Sequence, residues 1–106
     1  MTLVATKAGL ECQLVELRAR QQRILSDLAT PLPYDASDRA TEMEDDAGLE
    51  AEAKTIAQEI ASVERALARM RDGSYGICVR CGEKIDDERL LARPEAALCI
   101  GCARRL

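Results

Sequence analysis

The sequence predicts a fold dominated by α-helix: an antiparallel two-helix coiled-coil hairpin, then a small C4 zinc-finger module with a C-terminal helix. Three observations predict it. Apolar residues recur at alternating spacings of four and three in two long stretches that hold no proline. Two prolines, Pro31 and Pro33, separate those stretches, and a helix cannot run through them. Two Cys-x2-Cys pairs, Cys78 with Cys81 and Cys99 with Cys102, follow the second stretch. The chain divides accordingly into a hairpin over residues 1–73, with its tip at about 30–40, and a zinc module over 74–106.

Composition supports this division. There is no Trp, Phe or His, and the chain has two Tyr. Aromatic side chains supply the largest buried areas, so a globular core built without them is poor. A paired helical rod and a metal-closed module both avoid that need. The first helix is expected within residues 3–29. Its seam runs through Leu3, Leu10, Leu14, Leu17, Ile24 and Leu28, with Gln21 in the remaining slot. The second is expected from about Ala36 to Asp72, with the seam Leu49, Ala53, Ile56, Ile60, Val63, Leu67 and Met70. Gly73 is placed as its C-terminal cap, and Arg69 and Arg71 suit the negative end of the helix dipole.

Folding back at the prolines sets Leu17 against Leu49, Leu10 against Ile56 and Leu3 against Val63, a constant antiparallel register. Nearer the turn the seam slips by one residue, through Ala36, Ala40, Met43 and Ala47. Gly48 lies at the slip and costs a helix interior ~1 kcal/mol, so the tip is expected to be locally weaker.

The four paired cysteines carry the clearest chemistry. Zinc takes four thiolates in a closed tetrahedron with no position open to substrate, so the expected ion is structural rather than catalytic. Gly82 and Gly101 fit turns that bring backbone amides toward the sulfurs. Cys12 has no partner at ligand spacing and reads as a small, partly buried residue of the first helix. The sequence shows no basic-then-apolar leader and no apolar run of ~20 residues, which points to a cytosolic chain with reduced thiols.

Charge narrows the partner. The formal net charge is −4, and residues 35–52 hold eight acids against Arg39 alone. Such a chain is poorly suited to coat phosphate, so direct DNA binding is disfavoured and a protein partner is expected. Asp35 and Asp38 follow the prolines. From the residues alone they read as a helix cap and a first-turn charge, worth ~1 kcal/mol. An enzyme is disfavoured because the metal shell is closed and these carboxylates stand at a tip rather than in a pocket.

Taken together, "DASDRA", "YGICVRCGEKI" and "RLLARPEAALCIGC" resemble the DksA/TraR family of bacterial C4-type zinc-finger transcription regulators. The resemblance covers residues 35–102 and, more loosely, the first helix. It implies a monomeric protein that binds RNA polymerase through the secondary channel, without touching DNA, and modulates initiation with its coiled-coil tip. Asp35, Asp38 and Ala40 would carry the tip function. Members of the DksA branch often act with guanosine tetraphosphate, bound between the zinc-finger end and the polymerase. Of the basic residues that serve the nucleotide, Arg93 is matched here. The helix-two lysine falls at Ser62 and the basic residue after the last cysteine falls at Ala103, with Arg65, Arg104 and Arg105 near. The alternative is a zinc-stabilised coiled-coil adaptor for another cytosolic protein.

Overall fold

A computed structural model of the chain describes residues 3–29 and 36–106, with side chains described for 5–29 and 47–106. Helix α1 spans Leu3–Ala29 and α2 spans Ala36–Asp72. Two short helices follow, α3 over Asp87–Ala92 and α4 over Ile100–Ala103. Asp35 lies outside the described residues. Asp38 and Ala40 belong to α2, but their side chains, like those of Met43 and the rest of the slipped seam before Ala47, lie outside the described ones.

The molecule is a rod with a knob. Its extents are 57 × 30 × 20 Å and its radius of gyration is 18.2 Å, against ~13 Å for a compact domain of this length. The long dimension is that of α2, whose 37 residues span ~56 Å at ~1.5 Å per residue. α1 and α2 pack along one seam of buried Leu10, Leu17, Ile24, Ile56, Ile60, Val63, Ala66 and Leu67. Leu14, Leu28, Leu49, Ala53 and Met70 flank it half-buried. These are the positions that the four-three spacing selects, with Ala66 added beside Val63.

The register differs from the one the seam suggested. Arg20 pairs across the hairpin with Glu52 at 3.2 Å, and Arg18 with Glu64 at 3.7 Å. With Leu17 opposite Leu49, Arg18 would stand beside Gly48, ~24 Å along the axis from Glu64. No pair of side chains spans that. Both ion pairs are satisfied when Leu10 stands opposite Leu67, Leu17 opposite Ile60 and Ile24 opposite Ala53, all within one core cluster. Each arginine then leans ~7.5 Å along the rod to its partner. Gly48 falls opposite Ala29, the last residue of α1. Its low helix propensity therefore sits where the paired seam ends.

α2 stops where Gly73 adopts φ +85°, a conformation that an L-residue with a Cβ resists. The amides of Ser74 and Tyr75 both return to the Arg69 carbonyl, at 3.0 and 3.2 Å. Asp72 accepts from the Ser74 amide at 2.9 Å and from its hydroxyl at 2.5 Å. A second, smaller core follows, made of Cys78, Ile85, Leu90 and Cys102. Tyr75 packs against both cores and is the residue on which they meet.

Candidate functional site

The first knuckle is the end of a tight hairpin. Ile77 and Lys84 form an antiparallel bridge, with Cys78 N–H donating to the Glu83 carbonyl and Ile85 N–H to the Gly76 carbonyl, each at 2.8 Å. Gly76 and Gly82 take φ of +87° and +79°, which lets the strand double back within so few residues. The Gly82 amide donates to the Cys78 carbonyl at 2.9 Å, closing the turn that carries Cys78 and Cys81. The second knuckle opens α4. The Cys99 sulfur caps that helix by accepting from the Cys102 amide at 3.5 Å. The expected C-terminal helix is thus a single turn whose own start supplies two of the sulfurs.

All four sulfurs lie within 4.8 Å of one another, and Cys81 Sγ stands 3.7 Å from Cys99 Sγ. A tetrahedron with Zn–S bonds of ~2.3 Å has sulfurs ~3.8 Å apart. Donor set and geometry therefore fit one zinc ion held by Cys78, Cys81, Cys99 and Cys102. Electrostatics agree. Amide hydrogen bonds around Cys81 and Cys99 bring the Cys78 thiol down to about 6, whereas the neighbouring Cys99 thiol and burial push Cys102 up to about 12. Four thiolates this close repel unless a cation sits among them, and a divalent ion removes that cost. Cys78 and Cys102 are buried, so the ion also completes the small core. Cys12, by contrast, is exposed on α1 rather than partly buried, because it lies off the seam.

A cavity of ≈ 430 Å³ lies between α2, α3 and the C-terminal turn. Ser62, Arg89, Arg93, Glu95, Ala103 and Leu106 are among its lining residues. The three positions that the resemblance assigned to the nucleotide, Ser62, Arg93 and Ala103, do converge there. Ser62 and Ala103 carry no charge, and Arg93 Nε is 3.9 Å from the Glu95 carboxylate. Arg89 donates its Nε to the Leu98 carbonyl at 2.8 Å. Arg65 is turned toward Ser62, its Nη2 3.5 Å from the hydroxyl.

Sequence reasoning missed the joint between rod and knob. Arg69 and Tyr75 both reach residues 94–98, which lead into the second knuckle. The Tyr75 hydroxyl donates to the Pro94 carbonyl at 2.8 Å, and Arg69 Nη2 stands 3.4 Å from the carbonyls of both Glu95 and Ala96. Burial, and then the Arg65 charge, hold the Arg69 pKa below the usual guanidinium value. Burial raises that of Tyr75. One signal was available: an aromatic residue placed just before the first knuckle in a chain with two Tyr and no Phe or Trp.

Comparison with known proteins sets this geometry in a family. The prokaryotic dksA/traR C4-type zinc finger matches residues 73–106, and the DnaK suppressor protein-like N-terminal domain matches residues 7–70. The RNA polymerase-binding transcription factor DksA of Haemophilus influenzae is 36% identical over 91 residues, covering 85% of this chain and 61% of that protein. The DksA of Caulobacter vibrioides is 39% identical over 72 residues, covering 67% of this chain and 50% of that one. The chain thus spans between half and two thirds of the length of these relatives. Among solved structures, transcription factor DksA2 of Pseudomonas aeruginosa superposes with a TM-score of 0.84 at 32% identity, covering 94% of this chain and 78% of that one. The DnaK suppressor protein of Agrobacterium tumefaciens superposes with a TM-score of 0.70 at 33% identity, covering 100% of this chain and 95% of that one.

Proposed function

The chain belongs to the DksA/TraR family of C4-type zinc-finger proteins, and we propose that it regulates transcription by binding RNA polymerase directly. The observation that carries this reading is the rod: a paired coiled coil on a 57 Å axis, closed at its base by a four-cysteine site, with an acidic stretch at the other end. A rod of this length and ~20 Å breadth suits a narrow channel leading to a buried active site, and the secondary channel is such a path. The tip residues Asp35, Asp38 and Ala40 then act near the catalytic centre. The acid-rich run over 35–52 favours entry between positively charged walls. The protein acts as a cytosolic monomer without catalytic activity of its own, and it reads no DNA. That last point rests on the acidic balance, which opposes phosphate binding.

Zinc is structural in this scheme: it folds the base against which the polymerase docks. Guanosine tetraphosphate plays a weak part or none, because Arg93 is opposed by Glu95 and two of the positions that would add cations are Ser62 and Ala103. The test is co-purification with core RNA polymerase and displacement by an unrelated secondary-channel factor. Binding that such a factor cannot displace supports the adaptor reading instead, with docking elsewhere on the enzyme or on another protein.

A further inference from the structure

The five consecutive carbonyls of residues 94–98 are all captured, by donors from four different places. Pro94 accepts from the Tyr75 hydroxyl, and Glu95 and Ala96 share the Arg69 guanidinium. Ala97 accepts from the Val79 amide at 2.9 Å, within the first knuckle, and Leu98 accepts from Arg89 of α3. This segment is a strap. It touches the first knuckle, runs directly into Cys99, and receives α2 through Arg69 alone among these donors.

The geometry points to Arg69 as a positioning residue: its hold on the Glu95 and Ala96 carbonyls sets the angle at which the rod leaves the zinc module. Two features make the angle depend on it. Arg69 lies in the last turn of α2, before the Gly73 break, so the helix reaches past its own end to grip the module. The guanidinium is half-buried, and a planar donor that shares one nitrogen between adjacent carbonyls fixes direction as well as distance. Leverage makes the angle matter. A swing of about 10° at the base displaces the far end of a ~50 Å helix by ~9 Å, more than a side chain's reach. The importance of that displacement for transcription rests on the function proposed above; the clamp itself does not.

The test uses residual dipolar couplings from the zinc-loaded full chain, comparing amides of α2 with amides of residues 74–106. In the wild type both sets fit one alignment tensor. Arg69→Met keeps the apolar stem and removes the donors, and its two sets are expected to lose their common tensor. Cobalt substituted for zinc should meanwhile show an unchanged thiolate absorption spectrum, so the module is intact. A single shared tensor in Arg69→Met overturns the inference. Should that variant fail to fold, Arg69→Lys decides by the same measurement, since its ammonium ends short of the Nη2 position that meets both carbonyls: divergent tensors support the clamp and a common tensor overturns it. Divergent tensors with an unchanged effect on transcription would leave the clamp standing and count against the tip mechanism.

Discussion

The Tyr75 hydroxyl donates to the Pro94 carbonyl at 2.8 Å, while the residue packs against both the rod's core and the zinc module's core. One side chain therefore joins two hydrophobic clusters and anchors the strap that carries the second knuckle. Tyr75→Phe keeps the packing and strands a part-buried carbonyl. It should cost about 1 kcal/mol, read as a lower denaturation midpoint at unchanged slope.

The seam makes a sharper stability prediction. Leu10 is fully buried, whereas Val15, five residues on, is 69% exposed. Leu10→Ala should destabilise the hairpin by about 2–5 kcal/mol through lost burial and a residual cavity. Val15→Ala should stay within about 0.5 kcal/mol. Thermal unfolding of the two variants side by side checks the contrast.

Metal removal should act on one part of the chain. Residues 74–106 bury few large apolar side chains, chiefly Ile85 and Leu90, so zinc ligation supplies much of their folding energy. A strong chelator should abolish the dispersion of amide signals from that segment while most of the helical circular dichroism of α1 and α2 persists. Cys78→Ser should do the same without a chelator.

Acid should loosen the end of α2. Hydrogen bonds from the Ser74 hydroxyl and amide hold the Asp72 carboxylate below its ordinary pKa. A lowered folded-state value means that the stabilisation is complete above the unfolded carboxylate pKa and is lost as pH falls through the folded one. The carboxyl carbon of Asp72 should titrate with a midpoint below that of an unhindered aspartate, and Ser74→Ala, which keeps the amide donor, should raise it part of the way.

Much of this was legible in the sequence, for physical reasons that differ by residue. Thiolate chemistry admits few arrangements, so Cys78, Cys81, Cys99 and Cys102 announced their site. Gly73 is readable because few other residues tolerate a positive φ at a helix end. The seam told which faces meet but not which residues stand opposite. The register read from Leu17 against Leu49 left Leu14 facing Glu52, and the ion pairs of Arg18 and Arg20 fit Leu17 against Ile60 instead. The strap was hidden because its acceptors are backbone carbonyls, which every residue possesses. Ser62, Arg93 and Ala103 line one cavity, and the Glu95 carboxylate stands 3.9 Å from Arg93 Nε there, a pairing seen only in three dimensions.

The central claim is that a rod delivers a carboxylate pair to the polymerase active site. It is tested most directly by Asp38→Asn, with polymerase affinity and promoter output measured on the same preparations. The account predicts undiminished binding with loss of the effect on initiation. Binding and effect falling together, or a wild-type chain with no affinity for the polymerase, would contradict it.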